Sequence, residues 1–182
     1  MNELFKKAKD SQITISELML PSHSNFSGKI HGGYILNLMD QIAFACASKH
    51  SRNYCVTASV NKVNFLNPID VGQLVTLKAS VNYTGKTSMV IGVRVESENI
   101  QTGEIKHCNS SYFTMVAKDE FGKNVAVPGL ILDTKDSIRR FTRSIKQQEE
   151  SRNRSIFFKA SEFRLQNDYL KTLTNYNVKI EI

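Results

Sequence analysis

One stretch limits what this chain can fold into more than any other: residues 33–48, an apolar helix entered from a glycine-punctuated loop. Its apolar residues Ile35, Leu36, Leu38, Met39, Ile42, Ala43, Phe44, Ala45, Cys46 and Ala47 cover most of the circumference, the pattern of a buried helix rather than a surface one. At about 100° per residue Asn37, Gln41 and Ser48 fall on one narrow polar stripe. Asp40 lies about 60° from Asn37, between that stripe and the apolar face, so its carboxylate is expected to be partly desolvated.

The residues before the helix, Gly32 and Gly33, lack the Cβ that would keep another chain or a ligand from the backbone. The first amides of a helix have no intrahelical acceptor and sit at the positive end of its dipole, which suits a carbonyl oxygen that gains negative charge. Asp40 follows Gly33 by about 10 Å of helix rise, a span that one bound group could bridge. On spacing alone a plainer reading stays open, in which the glycines start a tightly packed helix and Asp40 joins its wet stripe.

A helix that is apolar nearly all round needs something to wrap it, and the rest of the chain reads mostly as strands. The spacing predicts strands over 13–20, 54–66, 74–83, 89–98 and 105–117, with turn residues between them, while 1–11 is polar and expected to fray. The third is the clearest: Val75, Leu77, Ala79, Val81 and Tyr83 alternate with Thr76, Lys78, Ser80 and Asn82. The order β-α-ββββ with short turns implies an α+β fold, an antiparallel sheet curled about one helix. After Pro128 and Gly129 the character changes. Residues 131–182 form a basic extension, helical in part, charged over 133–154 and more amphipathic over 156–173.

The chain has 182 residues, 41% hydrophobic and 23% charged, enough for one domain with a sizeable core. No apolar run approaches the ~20 residues that a membrane span needs, and residues 1–10 are too charged for a secretory signal, so a cytoplasmic protein without a membrane partner is expected. The formal charge is +7. Because the excess is spread along the chain and carries no aromatic-interleaved basic strand or finger motif, nucleic acid is not the expected partner. Such a surface would also attract a phosphorylated small molecule. Cys46, Cys55 and Cys108 are odd in number and show no Cys-x-x-Cys pair, which points to buried reduced thiols. The four histidines lack metal-ligand spacing, so no metal is expected.

Three ordered motifs then carry a resemblance. Pro21-x-x-x-Asn25-x-x-Gly28-x-x-His31-Gly32-Gly33 with Met39-Asp40, then 63–72 (VNFLNPIDVG), then Tyr83-Thr84-Gly85-Lys86-Thr87-Ser88, resemble the hotdog-fold acyl-CoA thioesterases of the acyl-CoA hydrolase branch. The resemblance covers about 13–128 and implies a hotdog domain over 10–128 followed by the extension 131–182. It implies hydrolysis of the thioester of fatty acyl-CoA, with no separate cofactor because CoA is part of the substrate. By the same resemblance Asp40 stands at the catalytic carboxylate position, Asn25 at the catalytic asparagine, and the Gly32 and Gly33 amides where the thioester carbonyl is polarised. The family's members form homodimers with a continuous sheet and commonly trimers of dimers, and their catalytic pair meets across the subunit interface. Ser27 and Lys29 depart from residues common among bacterial relatives.

Asp40 would act as general base or as nucleophile, and these stay open. Asn25 taken by itself reads more readily as a turn residue or a helix-cap neighbour. Lys86, Thr87, Ser88 and Arg94 supply cationic and hydroxyl groups suited to the phosphates of CoA. Two alternatives share the fold: a non-catalytic acyl-CoA-binding regulator, disfavoured by the presence of both Asn25 and Asp40 and by the lack of a helix-turn-helix pattern, and an acyl-thioester dehydratase, disfavoured because His31 precedes the glycines.

Overall fold

The computed structural model describes residues 4–160 and 176–179. The elements follow in the order β1 (Phe5–Lys7), β2 (Ile13–Leu18), α1 (Gly32–Ser51), β3 (Tyr54–Val60), β4 (Leu74–Thr84), β5 (Ser88–Glu98), β6 (Ile105–Lys118), β7 (Gly129–Ile131) and α2 (Lys135–Ala160). Five of the strands make an antiparallel sheet in the order β2-β4-β5-β6-β3. The sheet curls about α1, as the apolar circumference of that helix required: Ile35, Leu38, Met39, Ile42, Ala43, Cys46 and Ala47 are buried against Val75, Leu77, Ile91, Val93, Val95, Phe113 and Met115. This is the hotdog arrangement.

Local detail departs from simple alternation where a strand bulges. The register between β4 and β5 shifts between Val81 and Tyr83, so Tyr83 pairs with Val90 and turns to the face opposite Val81. Its ring meets Phe141 of α2 at a centroid distance of 5.1 Å, rather than joining Val75 and Leu77 in the core. β3 ends at Val60, short of the expected 66. From there the chain peels from the sheet, with the Asn61 and Leu66 amides still reaching the Tyr112 and Cys108 carbonyls of β6.

Residues 5–11, expected to fray, are instead held in place. β1 pairs in parallel with β7, and the Phe5 ring lies against the Gly129 backbone: a Cβ on Gly129 would stand 2.6 Å from its carbons, so the ring would have to shift. α2 begins behind a reciprocal cap, the Thr134 hydroxyl accepting from the Ser137 amide while the Thr134 amide donates to the Ser137 hydroxyl. By its contacts the chain divides into two compact units, with the boundary between Ser144 and Ile145. In the first, Phe141 meets Tyr83, Arg143 lies 5.4 Å above the Tyr112 ring, and Ser144 is buried. One side of the first turns of α2 is therefore packed, while Lys135, Asp136, Arg139 and Arg143 stay exposed on the solvated face. In the second unit α2 continues to Ala160; most of the expected amphipathic stretch 156–173 lies outside the described residues.

At the far end of α1, His50 is fully buried and ties three segments together. One ring nitrogen faces the Ser11 hydroxyl at 3.1 Å, the other the Pro128 carbonyl at 3.1 Å, and Lys6 donates to the His50 carbonyl at 2.9 Å. Burial pulls the His50 pKa below 6.5; the Lys6 charge acts in the same sense, while the Pro128 carbonyl and Asp10 oppose it. Above pH 6.5 the ring is neutral in both folded and unfolded chains. As pH falls below 6.5 the unfolded chain takes up a proton that the folded one still refuses, so stability declines. The thermal midpoint should therefore drop between pH 7.5 and 5.5, and the drop should shrink in His50→Gln. An equal drop in that variant would assign the pH dependence to other groups. The three cysteines are free and buried, and burial pushes the Cys46 thiol up to about 12, outside any nucleophilic range at neutral pH.

Candidate active site

Asp40 sits on the third turn of α1, half-buried, as the helical phase predicted. The sheet gives it a partner from outside the helix: the Thr57 hydroxyl of β3 donates to Asp40 Oδ1 at 2.6 Å. Thr57 lies at a bulge, where the register against β6 shifts between Thr57 and Ser59, and its hydroxyl also lies 3.4 Å from Met115 Sδ. With Oδ1 held, Oδ2 accepts from no group among the described residues. The carboxylate is thus oriented through one oxygen and open at the other, the disposition a base needs to take a proton from water. Nothing in the sequence around Thr57 marks it. Its role depends on α1 crossing β3 at that point, and a threonine in a strand is unremarkable.

The loop before α1 is a small hairpin. Ser24 bridges Ile30, the Asn25 amide donates to the Lys29 carbonyl at 2.7 Å, and Gly28 turns the tip with φ 75°, a conformation that suits glycine. Phe26 at the tip is fully exposed. Asn25 closes the neck: its Oδ1 accepts from the Ser27 amide at 3.0 Å, the Ser27 hydroxyl at 2.7 Å and the Lys29 amide at 3.2 Å. Its Nδ2 donates to no group among the described residues, and within the chain no hydrogen bond joins it to Asp40. Lys29 makes an ion pair with Asp70, and the Ile30 amide donates to the Ile69 carbonyl, which fastens the second arm of the hairpin.

The two glycines differ in what is free. His31 caps the helix, its Nδ1 accepting from the Gly33 amide at 2.9 Å, so that amide is occupied. The Gly32 amide donates to none of the described residues, and the Phe65 ring covers the position, its Cζ 3.1 Å from where a Gly32 Cβ would be. The free donor of the pair is therefore the first, not the second.

Lys86, Thr87 and Ser88 lie together in the β4–β5 turn, with Lys86 exposed and the Thr87 carbonyl accepting from the Ala117 amide. The structure does not bring Arg94 to them. It lies six residues along β5, about 20 Å away at the rise of a strand. Arg94 is also engaged, sharing the Glu96 carboxylate with Lys78 at 2.7 and 2.6 Å. Those two cations hold the Glu96 carboxyl below its usual range. No group of three metal-binding side chains converges, and no helix is long and apolar enough to cross a membrane, among the described residues.

The profile of the thioesterase superfamily matches residues 27–104, which span the hairpin tip, α1 and the strands through β5. Protein VdlD of Helicobacter pylori is 42% identical over 142 residues, 78% of this chain and 81% of the relative. The uncharacterised acyl-CoA thioester hydrolase YkhA of Bacillus subtilis is 33% identical over 146 residues, 80% and 85% of the two chains. The rat cytosolic acyl coenzyme A thioester hydrolase is 33% identical over 152 residues, which are 82% of this chain and 38% of that longer one. Among solved structures, an apo-hexameric acyl-CoA thioesterase superposes with a TM-score of 0.81 at 36% identity, covering 83% of this chain and 97% of the other. The Staphylococcus aureus acyl-CoA hydrolase, solved with butyryl coenzyme A and coenzyme A, superposes with a TM-score of 0.79 at 28% identity, covering 86% and 95%. Its alanine variants have been solved at an asparagine, an aspartate and a threonine that follow one another at intervals of 15 and 17 residues. The chain belongs to the thioesterase superfamily, among its hotdog-fold acyl-CoA thioester hydrolases.

Proposed function

We propose that this chain hydrolyses the thioester of fatty acyl-CoA to the free acid and CoA, with Asp40 as the carboxylate that activates water or attacks the carbonyl, Thr57 orienting it, and Asn25 and the glycine amides completing the site. The observation that carries this reading is the Thr57–Asp40 hydrogen bond on the half-open side of α1. The spacing supports it: Asn25, Asp40 and Thr57 are 15 and 17 residues apart, the intervals at which the Staphylococcus aureus variants were made.

Asn25 Nδ2, unclaimed by its own hairpin, is the group that would hold the attacking water or the thioester oxygen. In this reading it meets Asp40 of a second copy. The outer edge of β3 and the exposed Phe44, Tyr54 and Val60 beside it support a homodimer that continues the sheet, and the hexameric relative supports a trimer of such dimers. The Gly32 amide would polarise the thioester carbonyl, with Gly33 joining only if His31 swings away.

Lys86, Thr87 and Ser88 would meet the CoA phosphates. Arg94 contributes only if substrate displaces Glu96 from it. The module doing this work is 10–128, and 131–182 lies outside it. The cytosolic rat relative supports a cytoplasmic site of action.

Release of free thiol from a panel of acyl-CoAs, short to long, tests the reading. Release above the blank from at least one fatty acyl-CoA is expected, and no release above the blank for any of them would overturn it. In the same assay Thr57→Ala should lower kcat about 10- to 100-fold, because a hydrogen bond to a charged group contributes about 1.5–3 kcal/mol. Unchanged turnover would leave Thr57 a packing residue.

A further inference from the structure

The hairpin that carries Asn25 is held to α1 by an arrangement that the reaction scheme above does not use. His23, two residues before Asn25, lies flat on the ring of Tyr34 in the first turn of α1, with centroids 4.0 Å apart and planes at 18°. The Tyr34 hydroxyl donates to the Glu17 carboxylate of β2. Hydrogen bonding to Glu17, with burial and the carboxylate charge, raises the Tyr34 pKa above 10.0, so the phenol is a donor at neutral pH. The His23 backbone is bound as well: its carbonyl accepts from the His31 amide at 2.9 Å and its amide donates to the Leu20 carbonyl at 3.0 Å, while the ring Nδ1 accepts from the Leu20 amide at 3.3 Å.

The consequence is geometric. The second arm of the hairpin is fastened through Lys29–Asp70 and Ile30–Ile69, and the first arm, which holds Asn25, is tied to it by the Ser24–Ile30 bridge and the Asn25–Lys29 bonds; His23 adds to this a direct contact of the first arm with the start of α1, through its ring on Tyr34 and its carbonyl to the His31 amide. Stacked rings resist tilting and allow sliding, and Glu17 pins the lower ring against sliding. Both His23 and the Asn25 neck are thus referred to the same turn of α1 that supplies Gly32 and Gly33.

We infer that Glu17, Tyr34 and His23 form a positioning stack that sets the Asn25 hairpin against the start of α1, so that His23 acts on catalysis through Asn25. This rests on the reading of Asn25 given above. A small error in the placement of a catalytic group costs rate out of proportion to its effect on stability, and a stack of this kind is suited to suppress such errors.

A double-mutant cycle separates this from a merely structural role. In the full-length enzyme, His23→Ala should lower kcat about tenfold with KM changed less than twofold, while in the Asn25→Ala background the same substitution should change kcat less than twofold. His23→Phe, which keeps a flat ring on Tyr34, should restore kcat to within about threefold of the parent. An equal loss in both backgrounds, no loss in the parent, or a His23→Phe variant as slow as His23→Ala would each overturn the assignment. Should Asn25→Ala alone retain full kcat, the role of Asn25 itself fails, a result visible before the cycle is closed and distinct from failure of the stack.

Discussion

Asp40→Asn is expected to lower kcat about 10³-fold with the fold intact. The magnitude follows from what is removed: a positioned base contributes roughly 10²- to 10⁴-fold, and no second carboxylate among the described residues is bonded to Thr57 to take its place. The geometry should survive. The carboxamide oxygen can still accept from the Thr57 hydroxyl at Oδ1, the side chain has nearly the same volume, and its surroundings are half-open rather than core. Thermal unfolding within a few degrees of the parent, with KM for acyl-CoA changed only slightly, is the accompanying expectation. A variant that keeps near-parental kcat would make the Thr57–Asp40 bond a structural tie between α1 and β3 and would remove the carboxylate from the chemistry.

A second large effect concerns how the site is divided between subunits. Asn25→Ala and Asp40→Ala homodimers should each be nearly inactive, since one lacks the donor that holds the water or carbonyl and the other lacks the base. Within one chain the two residues are not bonded, and Asn25 directs its oxygen into its own hairpin. If the pair meets across a dimer, a mixed dimer of the two variants holds one site with both defects and one with neither. Dissociating and reassociating equal amounts of the variants makes half the dimers mixed, each with one intact site. Activity should then return to about a quarter of the parental value, from a baseline about 10²-fold or more lower. Differently tagged protomers allow the mixed species to be isolated and assayed alone. No recovery in that species would place Asn25 and Asp40 in the same subunit or exclude one of them from the reaction.

These expectations depend on different kinds of information. The apolar circumference of α1, the alternation of β4 and β5 and the turn residues between the strands are properties of neighbours in the chain, so the α+β architecture and the phase of Asp40 on its helix could be read directly. The motif residues Gly32, Gly33 and Asp40 were legible as types at intervals, whereas Asn25 was singled out only by the resemblance of its motif. What the sequence could not supply is which distant residues meet. Thr57 reaches Asp40 because β3 passes that turn of α1, the Phe5 ring closes over Gly129 across more than a hundred residues, and Ser11 finds His50 at the far end of the helix.

Periodicity was also misleading where a single inserted residue reverses it. One bulge carries Tyr83 from the expected core face to the side where Phe141 lies, and that contact packs one side of the start of α2 while its charged residues stay exposed. The choice between the two glycine amides was of the same kind, decided by a histidine ring turned back on the helix it begins. In this protein the sequence by itself determined the central helix, the five strands that wrap it and their order, because these are written in local hydrophobic period and backbone preference, while the residue types of the candidate site were legible from the ordered motifs. The tertiary structure alone decided which oxygen of Asp40 is held, which amide is free and what steadies the Asn25 hairpin, because each depends on side chains brought together by packing from separate elements.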